Sequence, residues 1–410
     1  MSQRPVLEPP SPAAPPPAPE AGLRQLVLLL AGSCLAVLGA VAIAPVLPQM
    51  TEAFAGTPGV EILVPVVLTV PALVIGLTAP FAGMFVDAVD RKRLLLVAMA
   101  AYAVLGTAPL YLESLAAILA SRVLVGVTEA AILTCCTTLI GDYWSGPQRA
   151  RYLGLQTVVA ALSATAFLAL GGLLGAAGWR TPFWMYAVAA VLVVPMARGL
   201  WQPAPTPRAA SGRRRLEPLP WRLILAPCLV TAFGGVVFYA LVVQLSFVLD
   251  GVGVTSPRTI GAVSALMSLA TAAGALTFGR LTHLSPRRLL PVVFAVSALG
   301  LVVVFATPDP AVISVGAVIA GFGTGMLLPT LLTWSVNRLA FGQRGRGIGI
   351  FTGVLFVGQF TSPLVLAALG VLVGGLQPAL GVLGVAAAVV GVLVAVVLGD
   401  HHDQPLVTAS

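Results

Sequence analysis

The stretch 83-GMFVDAVDRKRLLLVAMAAYAVLGTAPLYL-112 decides the fold class. Its second part, residues 94–112, carries no charge, and as a helix rising about 1.5 Å per residue it crosses a hydrocarbon core roughly 30 Å thick. A membrane strand would instead alternate apolar and polar residues over about ten positions. Residues 94–112 do not alternate, and the 91-RKR-93 cluster ahead of them marks an aqueous boundary. The stretch therefore holds the end of one membrane helix, a basic loop and a second membrane helix.

Working outward, apolar runs of similar length recur along the whole chain. They predict helices over 24–48, 61–84, 94–112, 115–140, 152–176 and 181–200, then 222–248, 259–282, 289–307, 311–336, 348–373 and 376–399. The composition agrees: 58% of the 410 residues are hydrophobic and 9% charged, with a mean hydropathy of +1.01, against about a quarter charged in a soluble domain. The expected fold is an all-α integral membrane protein of twelve helices in two six-helix bundles.

Basic residues fall on alternate connections, as expected when both termini lie in the cytoplasm. Apart from Arg122, Arg180 and Arg258, every Lys and Arg sits in the N-terminal tail or near the loops after helices 2, 4, 6, 8 and 10. The net charge of +8 is thus read as orientation in a cell membrane, with no nucleic-acid partner. Residues 1–22 are proline-rich and read as a disordered cytoplasmic tail. The organisation predicted is a bundle over 23–200, a cytoplasmic linker over 201–221, a second bundle over 222–399 and a tail over 400–410. The first apolar run is long and ends in 45-PVLP-48 rather than a small-residue cleavage site, so no removable signal peptide is expected. The four cysteines lie in apolar segments without metal-ligand spacing and read as small buried hydrophobes.

Two loops repeat across the linker. Gly83 and Arg91 have the spacing of Gly279 and Arg287, while Asp142, Arg149, Arg151 and Gly154 have that of Asn337, Arg344, Arg346 and Gly349. The offsets are 196 and 195 residues. Two matches at nearly one offset imply halves related by an axis along the membrane normal.

With these residues the chain resembles the major facilitator superfamily, including its twelve-helix drug and metabolite exporters. The loop signature G-x-x-x-D-x-x-G-R-[KR] is met by Gly83, Asp87, Arg91 and Lys92, with Asp90 in place of the second glycine. An aspartate tolerates a left-handed turn, so the loop shape is expected to survive. The resemblance implies a cytoplasmic gate in which Asp87, Arg91, Asp142 and Arg149, with Arg344 in the second half, latch helix ends together. The alternative is that these charges only set topology. His283 stands at the Asp87 position of the second half, where the latch is not expected. A second signature, R-x-x-x-G-x-x-x-A, is met by Arg122, Gly126 and Ala130, but Thr128 and Glu129 replace the usual small residues. The Gly-Pro pair of the exporter branch is missing before Gly171 and Gly172.

Ionisable groups inside a span are expensive and normally face a cavity or a partner. Arg122 and Glu129 are seven residues apart, on one helix face and about 10 Å apart along the axis. Glu129 is expected to carry the coupling proton and Arg122 to modulate it, the alternative being a structural carboxylate. Tyr239, Gln244, Trp334 and Gln359 are candidate cavity residues because they are polar groups within spans, where interhelix hydrogen bonds are the alternative.

The sequence lacks G-x-x-x-x-G-K-[ST], so energy must come from a gradient or from the substrate itself. These features predict a monomeric secondary active transporter, not an enzyme, with no cofactor or metal. It would move a small organic solute by alternating access, with proton-coupled export. Uptake or facilitated diffusion by the same fold stays open, as does a non-transporting membrane sensor.

Overall fold

The computed structural model describes residues 21–203, 221–339 and 343–397, excepting the side chains of residues 82–88, 221–223 and 344. Among the described residues there is no strand, and twelve helical segments are long and apolar enough to cross a membrane. The first half comprises α1 (Leu23–Ala53), α2 (Val60–Ala88), α3 (Arg91–Thr107), α4 (Leu115–Tyr143), α5 (Gly146–Gly175) and α6 (Thr181–Gly199). The second comprises α7 (Trp221–Gly251), α8 (Pro257–Leu281), α9 (Pro286–Phe305), α10 (Pro310–Val336), α11 (Arg344–Val373) and α12 (Leu376–Val397).

The predicted spans are found, but several helices outrun them. α5 starts at Gly146 rather than 152, and α2 ends at Ala88 rather than 84. An apolar run measures the hydrocarbon width, whereas a helix continues into the polar zone, here carrying Arg149 and Arg151 in its first turns. α1 is interrupted: its first helix stops at Val41, a 3-10 turn covers Ala44–Val46, and a short helix runs Leu47–Ala53. Pro45 has no N–H to give the Val41 carbonyl, so the α-helical ladder cannot pass this point.

Asp90 corrects an expectation. It sits at φ −61°, ψ 108° rather than in a left-handed turn, and its carboxylate accepts from the Arg93 backbone N at 2.9 Å. Aspartate wins this position by capping α3. The N-terminal tail, most of the linker and the C-terminal tail lie outside the described residues.

Two apolar cores form, one around Leu29, Leu38 and Phe183 and one around Phe294, Leu327 and Leu380. In lipid, helix association rests on close packing and hydrogen bonds rather than on escape from water, and glycines supply the closeness. Gly126 of α4 lies against the Pro71 backbone of α2, and its counterpart in the repeat, Gly321 of α10, lies against the Met267 backbone of α8. Between the halves, α5 meets α8 and α2 meets α11. Gly172 and Gly261 pair the first seam, and Gly76 and Gly353 the second. Gly172 and Gly261 lie toward the end opposite the one bearing Arg91 and Arg149.

Candidate functional site

Between the bundles lies a cavity of about 660 Å³, within the range of pockets that take drug-sized molecules. Both halves line it. Its wall is mostly apolar, and its polar groups include Ser33, Gln156, Tyr239, Thr324 and Gln359. Among the described residues Glu129 is the carboxylate in that wall, and no Lys, Arg or His lines it.

Glu129 is 1% exposed, and its Oε1 has no hydrogen-bond partner among the described residues. It rests where α1 has no side chain: any Cβ at Gly39 would overlap the carboxylate. Gly39 therefore makes room for the acid at the cavity wall. Arg122, two helical turns earlier, is fully buried and faces α3 and α6 instead. It donates to Tyr186 Oη at 2.7 Å and to the Gly106 carbonyl at 3.3 Å. Its guanidinium lies 4.7 Å from the Tyr186 ring centroid and 5.4 Å from that of Phe183, a cation–π geometry. Arg122 and Glu129 form no ion pair among the described residues, but Arg122 and the phenols Tyr102, Tyr186 and Tyr239 all lie within electrostatic reach of the carboxylate.

The phenols tie α1 to its neighbours. Tyr102 donates to the Leu35 carbonyl at 2.6 Å. Tyr239, from the other half, donates to the Ala40 carbonyl at 2.5 Å, next to Gly39 and just ahead of the α1 break.

Of the four residues expected in the cavity, Tyr239 and Gln359 line it; Gln244 and Trp334 do not. Gln244 follows Tyr239 by five positions, about 140° round the helix, and is buried in packing. Trp334 lies near the end of α10, under the Arg338 guanidinium at 4.9 Å. Gln156 does line the cavity, with its Nε2 donating to Ser33 Oγ at 2.6 Å and Thr137 Oγ1 at 3.1 Å. Its signal was a lone amide in an apolar run, as legible as Gln359.

At the arginine-bearing end, Arg91 of α3 pairs with Asp142 of α4, the two side chains 20% and 23% exposed. Arg149 lays its guanidinium across Gly141, 3.1 Å from where a Cβ would stand. Lys92 contributes its backbone N, which donates to Gln202 Oε1 at 3.2 Å. Of the other gate residues, the side chains of Asp87 and Arg344 lie outside those described, as do the surroundings of Gly83.

The architecture is that of a multi-pass membrane protein whose paired bundles share one internal chamber. Comparison with known proteins gives the family. The sequence model of the Major Facilitator Superfamily matches residues 29–255 and again 228–409, and the chain belongs to that family. It is 29% identical over 167 residues to the class C tetracycline resistance protein of Escherichia coli, covering 40% of this chain and 41% of that one. It is 30% identical over 168 residues to the bacillibactin exporter of Bacillus subtilis (strain 168), covering 39% and 41%. The matched part thus spans about two fifths of either relative's length. The fold matches a bacterial homolog of the human lysosomal transporter Spinster, solved inward-facing and unoccupied, with a TM-score of 0.71 at 17% identity over 92% of this chain and 96% of that one.

Proposed function

We propose that the chain is a secondary active transporter that exports a small, weakly polar organic solute by alternating access, in exchange for protons bound at Glu129. One observation carries this proposal: a buried carboxylate whose Oε1 has no hydrogen-bond partner among the described residues, in the wall of a cavity shared by both halves. A carboxylate kept in so apolar a place is costly, and giving it a proton each cycle is a use that accounts for the cost. One proton crossing 100 mV releases about 2.3 kcal/mol, enough for roughly a fifty-fold solute gradient at about 1.4 kcal/mol per decade. Export rather than uptake is favoured by the two relatives whose names state resistance or export.

The remaining assignments follow the same plan. Residues 23–200 and 222–399 rock as bodies about the cavity, with 201–221 as their linker. The protein lies in the cell membrane with both termini in the cytoplasm, because its arginines cluster on alternate connections. At that cytoplasmic end Gly83, Asp87, Arg91, Lys92, Asp142, Arg149 and Arg344 form the gate. Solute contacts fall to Tyr239 and Gln359, joined by Gln156.

Vesicles holding the purified protein and a pH-sensitive dye, challenged with tetracycline and a panel of lipophilic amines and acids, test this. An imposed proton gradient is expected to drive at least one of these solutes uphill in exchange for protons. If none moves under any gradient, transport is refuted and a sensing role takes its place.

A further inference from the structure

Glu129 and Tyr239 grip neighbouring residues of α1 from opposite halves. The carboxylate fills the space that Gly39 leaves open. The phenol donates to the carbonyl of Ala40, the next residue, at 2.5 Å. Both side chains belong to the wall of the same cavity. The α1 ladder fails just beyond, at the 3-10 turn Ala44–Val46, so this stretch is held by side chains from its neighbours as well as by its own backbone.

We propose that the Tyr239 hydroxyl is a two-position switch, bonded to the Ala40 carbonyl while Glu129 is protonated and to the Glu129 carboxylate once the proton has left. This deepens the assignment of Glu129 as the proton site and rests on it. An ionised carboxylate in an apolar wall needs a donor, since a buried acceptor left unmade is expensive. Four polar groups from four elements lie within its electrostatic reach: Arg122 of α4, Tyr102 of α3, Tyr186 of α6 and Tyr239 of α7. Arg122 is committed to Tyr186 and the Gly106 carbonyl. Tyr102 is committed to Leu35. Tyr186 is pinned under the guanidinium and packed so tightly on Gly106 that a methyl there would overlap its ring. Tyr239 is the phenol that lines the cavity beside Glu129, and its present acceptor lies one residue from the carboxylate's resting place.

No covalent bond changes in the switch. The phenol keeps its proton throughout, and the proton lost is that of Glu129, which leaves through the cavity. What changes is which helix of the first half α7 holds: it releases α1 and takes α4. Proton loss would thus move the inter-half bond from α1, just ahead of its break, to α4, and Tyr239 acts as a positioning residue for Glu129.

Infrared difference spectra of the purified wild type through a pH titration test this without knowledge of the solute. A protonated-carboxyl band that disappears with rising pH, and is absent in Glu129→Gln, reports the acid. Ring-deuterated tyrosine identifies phenol bands. The expected result is that a tyrosine C–O band shifts at the same pH midpoint as the carboxyl band, and that this component is lost in Tyr239→Phe but kept in Tyr186→Phe. A carboxyl band titrating with no tyrosine change, or a tyrosine component lost only in Tyr186→Phe, overturns the switch. Absence of any Glu129 band that titrates overturns the proton site itself. If Tyr239→Phe does not fold, the wild-type spectra still decide, since the switch requires the tyrosine shift to coincide with the carboxyl loss.

Discussion

Enlarging Gly172 by one methyl group tests alternating access at the seam between α5 and α8. A Cβ there would stand 2.5 Å from the Pro257 carbonyl oxygen and 2.7 Å from the Gly261 Cα. Both neighbours are backbone atoms, so neither can swing aside. Carbon atoms rest comfortably at about 3.5–4.0 Å, so Gly172→Ala must part the helices by roughly 1 Å or bear the overlap. Overpacking of this kind costs about 1–3 kcal/mol. Under the proposed alternating access the contact belongs to the state in which the end opposite Arg91 is closed, so the penalty falls on that state and moves the equilibrium toward opening by about 5- to 150-fold. Ser268 lines the cavity and bonds Thr165 across the same seam at 3.1 Å. A Ser268→Cys chain treated with a membrane-impermeant maleimide, added from the side of Thr57, should therefore label faster when it also carries Gly172→Ala. Reaction in the same chain without Ser268→Cys subtracts the native cysteines. A lowered melting midpoint with unchanged labelling would mean that the seam only holds the fold, and the reasoning would be refuted.

Further predictions follow from individual contacts. Arg122→Lys keeps the charge but loses the fork that reaches Tyr186 and Gly106 together; losing one charge-assisted bond costs about 1.5–3 kcal/mol, read as a lower thermal midpoint in detergent. Tyr102→Phe removes one neutral bond to Leu35, and a loss of about 0.5–1.5 kcal/mol with solute exchange retained is expected in the same assay. Arg91→Ala breaks a partly exposed pair, so stability should fall by no more than about 1 kcal/mol, while the transport rate changes if the pair is a gate. Gly39→Ala forces the Glu129 carboxylate from its place and should abolish proton-driven accumulation; unchanged accumulation would show that the acid's position does not matter.

The spans were readable because a membrane imposes one length and one solvent on every crossing. Their ends were less so, since α5 continues through the charged turn that begins at Gly146, where hydropathy gives no signal. The repeat between Asp142–Arg149 and Asn337–Arg344 gave the two-bundle plan without any helix contact being known. That Glu129 would face a cavity was legible for a similar reason: an ionisable group in a span normally turns to a cavity or a partner, and it lines the cavity here. Face was harder. Tyr239 and Gln244 look alike in sequence, and only the angle between them separates cavity from packing. Tyr186 and Gly39 were invisible, because an aromatic residue and a glycine are commonplace in spans and gain meaning only from Arg122 and Glu129 lying against them.

Proton movement driven by a solute gradient is the most direct measure of coupling at Glu129. In vesicles carrying a solute that the wild type exchanges, an imposed solute gradient should move protons the opposite way and change the internal dye signal. Glu129→Gln should exchange the same solute while leaving internal pH still. Equal proton movement by wild type and Glu129→Gln would contradict the assignment.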